Sequence, residues 1–161
     1  MGLALMCVML GGCVRMDEAA LRAHMAQWFA LGPTMGFGAK QDCAAAAFRL
    51  VDTEVGSALA VVNSVPKAVN VLQLRGTVAL DQPDVAPDEG LVELINTDRA
   101  LGYQMRRAAL EGRVCMDEIT ASAFGYALTN PQAVLAFDAS LGALMLLDPG
   151  TNVLIVAMGE G

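Results

Sequence analysis

Apolar positions recur at two different periods along the chain, and the change from one to the other divides it in two. Over 17–31, Leu21, Met25, Trp28 and Phe29 fall at helical spacing while Arg22 and Gln27 lie off that stripe, which predicts a first helix. Gly32-Pro33 stops it, and the glycine-rich stretch through Gly36, Gly38 and Lys40 reads as a loop. Asp42 is placed to cap a second helix over 43–62, with Phe48, Val51, Val55, Leu59 and Val62 as its stripe and Gly56 on its flank. Ser64 can cap a short third helix carrying Val65, Val69 and Leu72, with Pro66 in its permitted first turn.

Beyond Gly76 the period shortens. Residues 77–80 read as a strand, followed by a loop rich in Pro and Asp. Two helices are predicted over 87–95 and 98–111, the second capped by Asn96 or Thr97 and closed by Gly112. No element is assigned between Gly112 and Ala133. Residues 133–137, 143–147 and 153–157 are short apolar runs separated by turn residues, and Asp148-Pro149-Gly150-Thr151 has the order of a type II turn. This is a three-stranded meander, with the strand at Thr77 added at one edge. Its runs are continuous rather than alternating, so helices must cover at least one face. The expected fold is therefore α+β: several helices packed on a small antiparallel sheet that ends in the meander.

Composition narrows what such a fold is for. With 55% hydrophobic and 17% charged residues in 161, the chain can build one ordered domain and does not have the composition of a disordered one. Aromatics are scarce, so Leu, Val, Met and Ala must supply the core around Trp28 and five Phe. A net charge of -7 repels phosphate backbones, making nucleic acid a poor partner, and gives no overall attraction to anionic lipid. No apolar run reaches the roughly 18 to 20 residues of a membrane-spanning helix.

The N-terminal segment carries a resemblance. Residues 1–12 are apolar and uncharged, and they end in Leu10-Gly11-Gly12 before Cys13. An aliphatic residue, two small residues and a Cys resemble the lipobox of bacterial lipoprotein precursors. The resemblance implies cleavage before Cys13, lipid on its thiol, and a domain over 13–161 anchored to a membrane of the cell envelope and facing the periplasm. Small envelope lipoproteins are what the remainder is similar to, with no motif to carry residues across. Export signals open with Lys or Arg, which this segment lacks, so the expectation places the true start upstream. The competing reading makes 1–14 a buried first element of a cytosolic protein with an incidental Cys13.

On the export reading Cys7 leaves with the signal and Cys13 carries lipid. Cys43 and Cys115 remain as an even pair in an oxidising compartment, which reads as one disulfide; the alternative is two buried free thiols. Their wide separation argues against redox catalysis.

Candidate chemistry is sparse. His24 is the sole histidine, so no second one can share a zinc and any Ser-His-acid triad would need it as base. No nucleophile neighbours it in sequence, and it reads as a flank or satisfied core residue of the first helix. Gly32 to Lys40 lacks the Gly-Lys-Ser/Thr order of a phosphate loop. Asp81, Asp138 and Asp148 read as turn formers, the last two at opposite ends of one strand. Arg99, Arg106, Arg107 and Arg113 form a basic stripe on an acidic protein. It is either a patch for an anionic partner, such as lipid headgroups or cell-wall polymer, or a solvated face with Arg107 and Glu111 paired. Met105 and Met116 belong to the core. No metal or cofactor is expected. The functional expectation is a noncatalytic, membrane-anchored structural or protein-interaction module. The alternative is a small-ligand or solute-sensing domain with a pocket near Tyr103 and Arg106.

Overall fold

A computed structural model describes residues 16–159, so Cys13 and the lipobox-like segment lie outside the described residues. The fold is α+β, with five helices and one seven-stranded mixed sheet among the described residues. In chain order these are α1 (Glu18–Met25), β1 (Phe29–Ala39), β2 (Ala44–Val55), β3 (Val61–Val62), α2 (Val65–Arg75), β4 (Thr77–Leu80), α3 (Pro87–Thr97), α4 (Arg99–Arg113), α5 (Glu118–Leu128), β5 (Val134–Asp138), β6 (Ala143–Asp148) and β7 (Val153–Met158). The strands lie in the order β1-β2-β7-β6-β5-β4-β3. All neighbours are antiparallel except the short β3–β4 pair.

The C-terminal meander forms as its apolar runs predict, and β4 joins it beside β5. Every residue of β5, β6 and β7 is buried, because both faces of this part of the sheet are covered. Successive side chains point to opposite faces. Leu135, Phe137, Leu144, Leu146, Val153 and Ile155 enter one core, under α2 to α5. Their neighbours Val134, Ala136, Met145, Leu147, Leu154 and Val156 enter a second core with Leu21 and Met25 of α1, Trp28, Phe29 and Leu59.

The N-terminal third departs from the pattern reading. Helix α1 ends at Met25, and the segment expected as helix end and glycine loop is instead the edge strand β1. Pro33 is tolerated there because an edge strand can leave one side unpaired, and three register shifts against β2 absorb the irregularity. The glycines answer to close approach. A Cβ on Gly36 would stand 2.5 Å from Thr120 Oγ1, and one on Gly38 would run into the Cys115 carbonyl. The predicted second helix is strand β2, which pairs with β1 on one side and over six residue pairs with β7 on the other. Its Ala44 to Ala47 are buried on both faces, and burial in a central strand outweighs alanine's helix preference of a few tenths of a kcal/mol per residue. Val51, expected in the core stripe, is 74% exposed.

The later helices follow the pattern with local changes. Asp98, rather than Asn96 or Thr97, caps α4 and accepts from the Leu101 amide at 3.1 Å. Gly112 lies inside the last turn of α4, where a Cβ would stand 2.8 Å from Ala157 Cβ, so it lets the helix close on β7. In the β6–β7 turn the left-handed residue is Asn152 (φ 54°) rather than the Gly150 of a type II turn. Helix α5, missed by the pattern, starts at Asp117, whose carboxylate accepts from the Thr120 amide at 2.7 Å.

Candidate functional site

The sequence-predicted residues are dispersed. Cys43, just ahead of β2, and Cys115, just after α4, meet as a disulfide with a Cα separation of 5.9 Å. Arg99, Arg106 and Arg113 share the outer face of α4, whereas Arg107 lies round the helix and bonds Glu111 through Nε at 2.6 Å. Met105 is buried, and Met116 packs against the same core. Tyr103 and Arg106 stand exposed on the outside of α4. The small cavity on that helix's inner side, about 140 Å³, is lined by other residues, among them Gln104, Arg107 and Phe137.

His24 has a more specific place than its position on a helix flank implies. Its Nε2 lies 2.7 Å from Asp138 Oδ2, at the far end of β5, and its ring meets Trp28 edge-on at 5.1 Å. A carboxylate only accepts, so Nε2 carries the hydrogen, while Nδ1 faces the Gln27 amide nitrogen at 3.3 Å. The other Asp138 oxygen accepts from the Ser140 amide and hydroxyl, closing the β5–β6 turn. Asp148 does the same for the next turn, accepting from Gly150, Thr151 and Asn130. Both carboxylates are turn formers, as expected, and both are buried. They sit at opposite ends of β6, against Ala143 and Val153 respectively. Asp81 is exposed beyond β4.

This arrangement can hold a helix in place but is not set for nucleophilic chemistry. Ser140 donates to the carboxylate rather than to the imidazole, so the base that activates a serine in a triad is on the wrong side of the acid. Asp138→Asn should therefore act on stability. We expect a loss of about 2 kcal/mol, the scale of a charge-assisted bond whose histidine is partly solvated. Urea unfolding of Asp138→Asn, His24→Ala and the double variant checks this. Additive losses would show that the two side chains do not act on each other.

The most ligand-like surface lies where no element was predicted. Residues Met35 of β1, Val153 of β7 and Ile119, Ala123 and Tyr126 of α5 line an open, largely apolar groove of about 550 Å³, with Glu118, Ser122 and Thr151 at its polar margin. Ile119 and Tyr126 are two turns apart on one face of α5 and are 51% and 59% exposed. Phe124 and Ala127, on the opposite face, bind the helix to the sheet. Met35 reaches the groove only because 29–39 is a strand and not a loop. The signal present in the sequence was Asp117-Glu118, a capping residue and an acidic first turn, ahead of Thr120, Phe124 and Ala127 at spacings of four and three.

Among the described residues no group of three or more His, Cys, Asp or Glu side chains could hold a metal ion, and no helix is long and apolar enough to cross a membrane. Comparison of the chain with family models, curated proteins and solved structures finds no match to any of them.

Proposed function

We propose that this chain is a noncatalytic protein-interaction module of the cell envelope, anchored through lipid on Cys13 and engaging another envelope protein through the groove beside α5. The observation that carries the reading is that groove. Two large apolar side chains, Ile119 and Tyr126, stand half exposed over an apolar floor of Met35, Ala123 and Val153. Isolated exposed apolar residues need no explanation, but a contiguous set around a concavity is what a partner's apolar side chains would fill. The Cys43–Cys115 disulfide agrees with an oxidising compartment, and Leu10-Gly11-Gly12-Cys13 agrees with lipid anchoring.

A photoreactive residue at position 126, compared with one at Val92 on α3, tests the groove in cells of the native host. We expect a discrete adduct from position 126 that disappears when Ile119 is changed to Asp. Equal labelling from both positions, or none, would remove the groove from the reading. Intact mass of the same protein addresses the anchor: a mass starting at Cys13 with acyl chains is expected, and an unmodified chain would return the domain to the cytosol.

The alternative occupant is a small apolar solute, since the groove volume lies within the range of roughly 300 to 1,000 Å³ typical of ligand sites. A metabolite panel read by thermal shift separates the two. Saturation at about 100 times Kd adds roughly 2.7 kcal/mol for a true ligand, whereas a protein-docking groove leaves the melting temperature unmoved.

A further inference from the structure

The outer face of α4 carries a second surface, built differently from the groove. Arg99, Tyr103, Arg106, Leu110 and Arg113 follow one another at steps of four, three, four and three, which places them on one side of the helix. All five are exposed, and the line is about 21 Å long at 1.5 Å per residue. The opposite side, Gly102, Met105, Ala108, Ala109 and Gly112, is buried and fixes the helix in place. None of Arg99, Arg106 and Arg113 makes an ion pair or hydrogen bond among the described residues, whereas Arg22, Arg49 and Arg107 all do. Three unpaired guanidinium groups in register are not a by-product of a cationic surface, because the chain as a whole carries a net charge of -7.

We infer that this face docks on an anionic phospholipid surface. Charge complementarity selects an anionic occupant. The alternation of Arg with half-exposed Tyr103 and Leu110 selects a bilayer over an acidic polypeptide. At a membrane interface the long Arg side chains reach phosphate oxygens while the ring and the leucine enter the headgroup boundary between them. None of the five side chains lines the groove beside α5 or the small cavity on the inner side of α4, so the stripe lies along a helix surface rather than in a cleft for a partner's side chains. Net repulsion from an acidic protein is a long-range effect screened beyond about 10 Å at ordinary ionic strength, whereas the stripe acts at contact. The geometry also suits a tethered chain. Val114, next to Arg113, accepts from Lys40 beyond the end of β1, and Glu18, at the start of α1, accepts from Thr34 within β1. The end of the stripe thus meets the chain just past the edge strand, and the start of the described chain meets that strand itself. The stripe does not require lipid on Cys13, and the test leaves lipid out.

The test is flotation of the full, unacylated chain with vesicles of phosphatidylcholine alone or mixed with phosphatidylglycerol. We expect binding only to the mixed vesicles, weakening as salt shortens the screening length from about 10 to about 3 Å. Arg99→Gln, Arg106→Gln and Arg113→Gln together should reduce partitioning on the order of 100-fold, from the contribution of a basic side chain at an anionic surface. The Arg→Lys triple should retain binding, as should the charge-matched triple Arg49→Gln, Lys67→Gln and Arg75→Gln. Equal binding to both vesicle types, binding to neither, or equal loss in the two Gln triples would overturn the inference. Binding to polyglutamate but not to vesicles would overturn it in favour of an acidic protein partner.

Discussion

Replacing Cys43 and Cys115 together with Ser lowers the stability of the folded chain by about 4 kcal/mol, the expected result for a bridge across 72 residues. The disulfide limits the unfolded ensemble, and the chain-entropy argument makes that limit grow with the logarithm of the loop. Much of the folded state survives without it. The two cores on either side of the sheet contain neither cysteine, and β2 is held to β7 by a six-pair ladder whether or not Cys43 is bonded. Urea unfolding of the oxidised, reduced and double-serine forms measures the effect. The midpoint should fall in the last two, and the denaturant dependence should steepen because the uncrosslinked chain unfolds to a more expanded state. Equal midpoints for the oxidised and double-serine forms would mean that the bridge contributes nothing. A protein losing this much stability on reduction is better suited to an oxidising compartment than to a reducing one, which ties the measurement to the proposed location.

Phe48→Ala should cost about 3–5 kcal/mol, because it leaves a cavity in the second core. Phe48 is fully buried, opposite Leu154 of β7 on one side and Thr34 of β1 on the other. The Arg22 guanidinium lies 5.0 Å from the centre of its ring and also donates to the Gly32 carbonyl at 2.8 Å and to Thr34 Oγ1 at 2.7 Å. Losing the ring removes buried area and the cation–π contact, and it leaves Arg22 to hold β1 without its platform. Val51→Ala is the informative partner. A helix over 43–62 would bury Val51 beside Phe48, and its truncation would then be costly. In strand β2 the two residues point to opposite faces, so Val51→Ala should fall within about 0.5 kcal/mol of wild type. Thermal or urea unfolding of both variants decides the matter. A large loss at Val51 would contradict the strand.

The contrast between these two residues marks how far the pattern of side chains could be read. Where the local signal and the final environment agreed, the sequence alone located most elements, α5 being the exception. The C-terminal runs are too short for helices, rich in branched apolar residues and punctuated by Asp-containing turns, and they form β5, β6 and β7. Pro66 in a first turn and the stretch opening at Pro87 located helices whose apolar stripes do face the core, and Gly76 marked the change to a strand. The expected pairing of Cys43 with Cys115, read against the alternative of two free thiols, is the one the structure contains, while its premise of an exported chain stays a proposal.

Tertiary structure decided the rest. The stripe from Phe48 to Val62 has helical spacing and an alanine-rich start, and the local terms against a helix there, Gly56 and the β-branched Val51, Thr53 and Val55, do not by themselves specify a strand. What overrides it is β7, about 100 residues later, which offers a ladder and burial on both faces of the same alanines. Gly32 to Gly38 looked like a loop for a related reason. Gly36 and Gly38 record how closely α5 and Cys115 approach β1, and Gly32 how closely the Arg49 backbone of β2 does, which a single strand's sequence cannot express. The candidate groove was invisible because it joins Met35, Tyr126 and Val153 from three distant segments, one assigned as loop and one not assigned at all. Only the folded sheet brings His24 to Asp138 across 114 positions, turning a histidine on a helix flank and an aspartate in a turn into one partly buried contact. Composition and local pattern thus determined the class of fold and most of its later elements. Long-range strand pairing, whose stabilisation appears only once distant segments have met, decided the N-terminal strands and the groove beside α5, whereas the basic stripe of α4 was already legible in its local spacing.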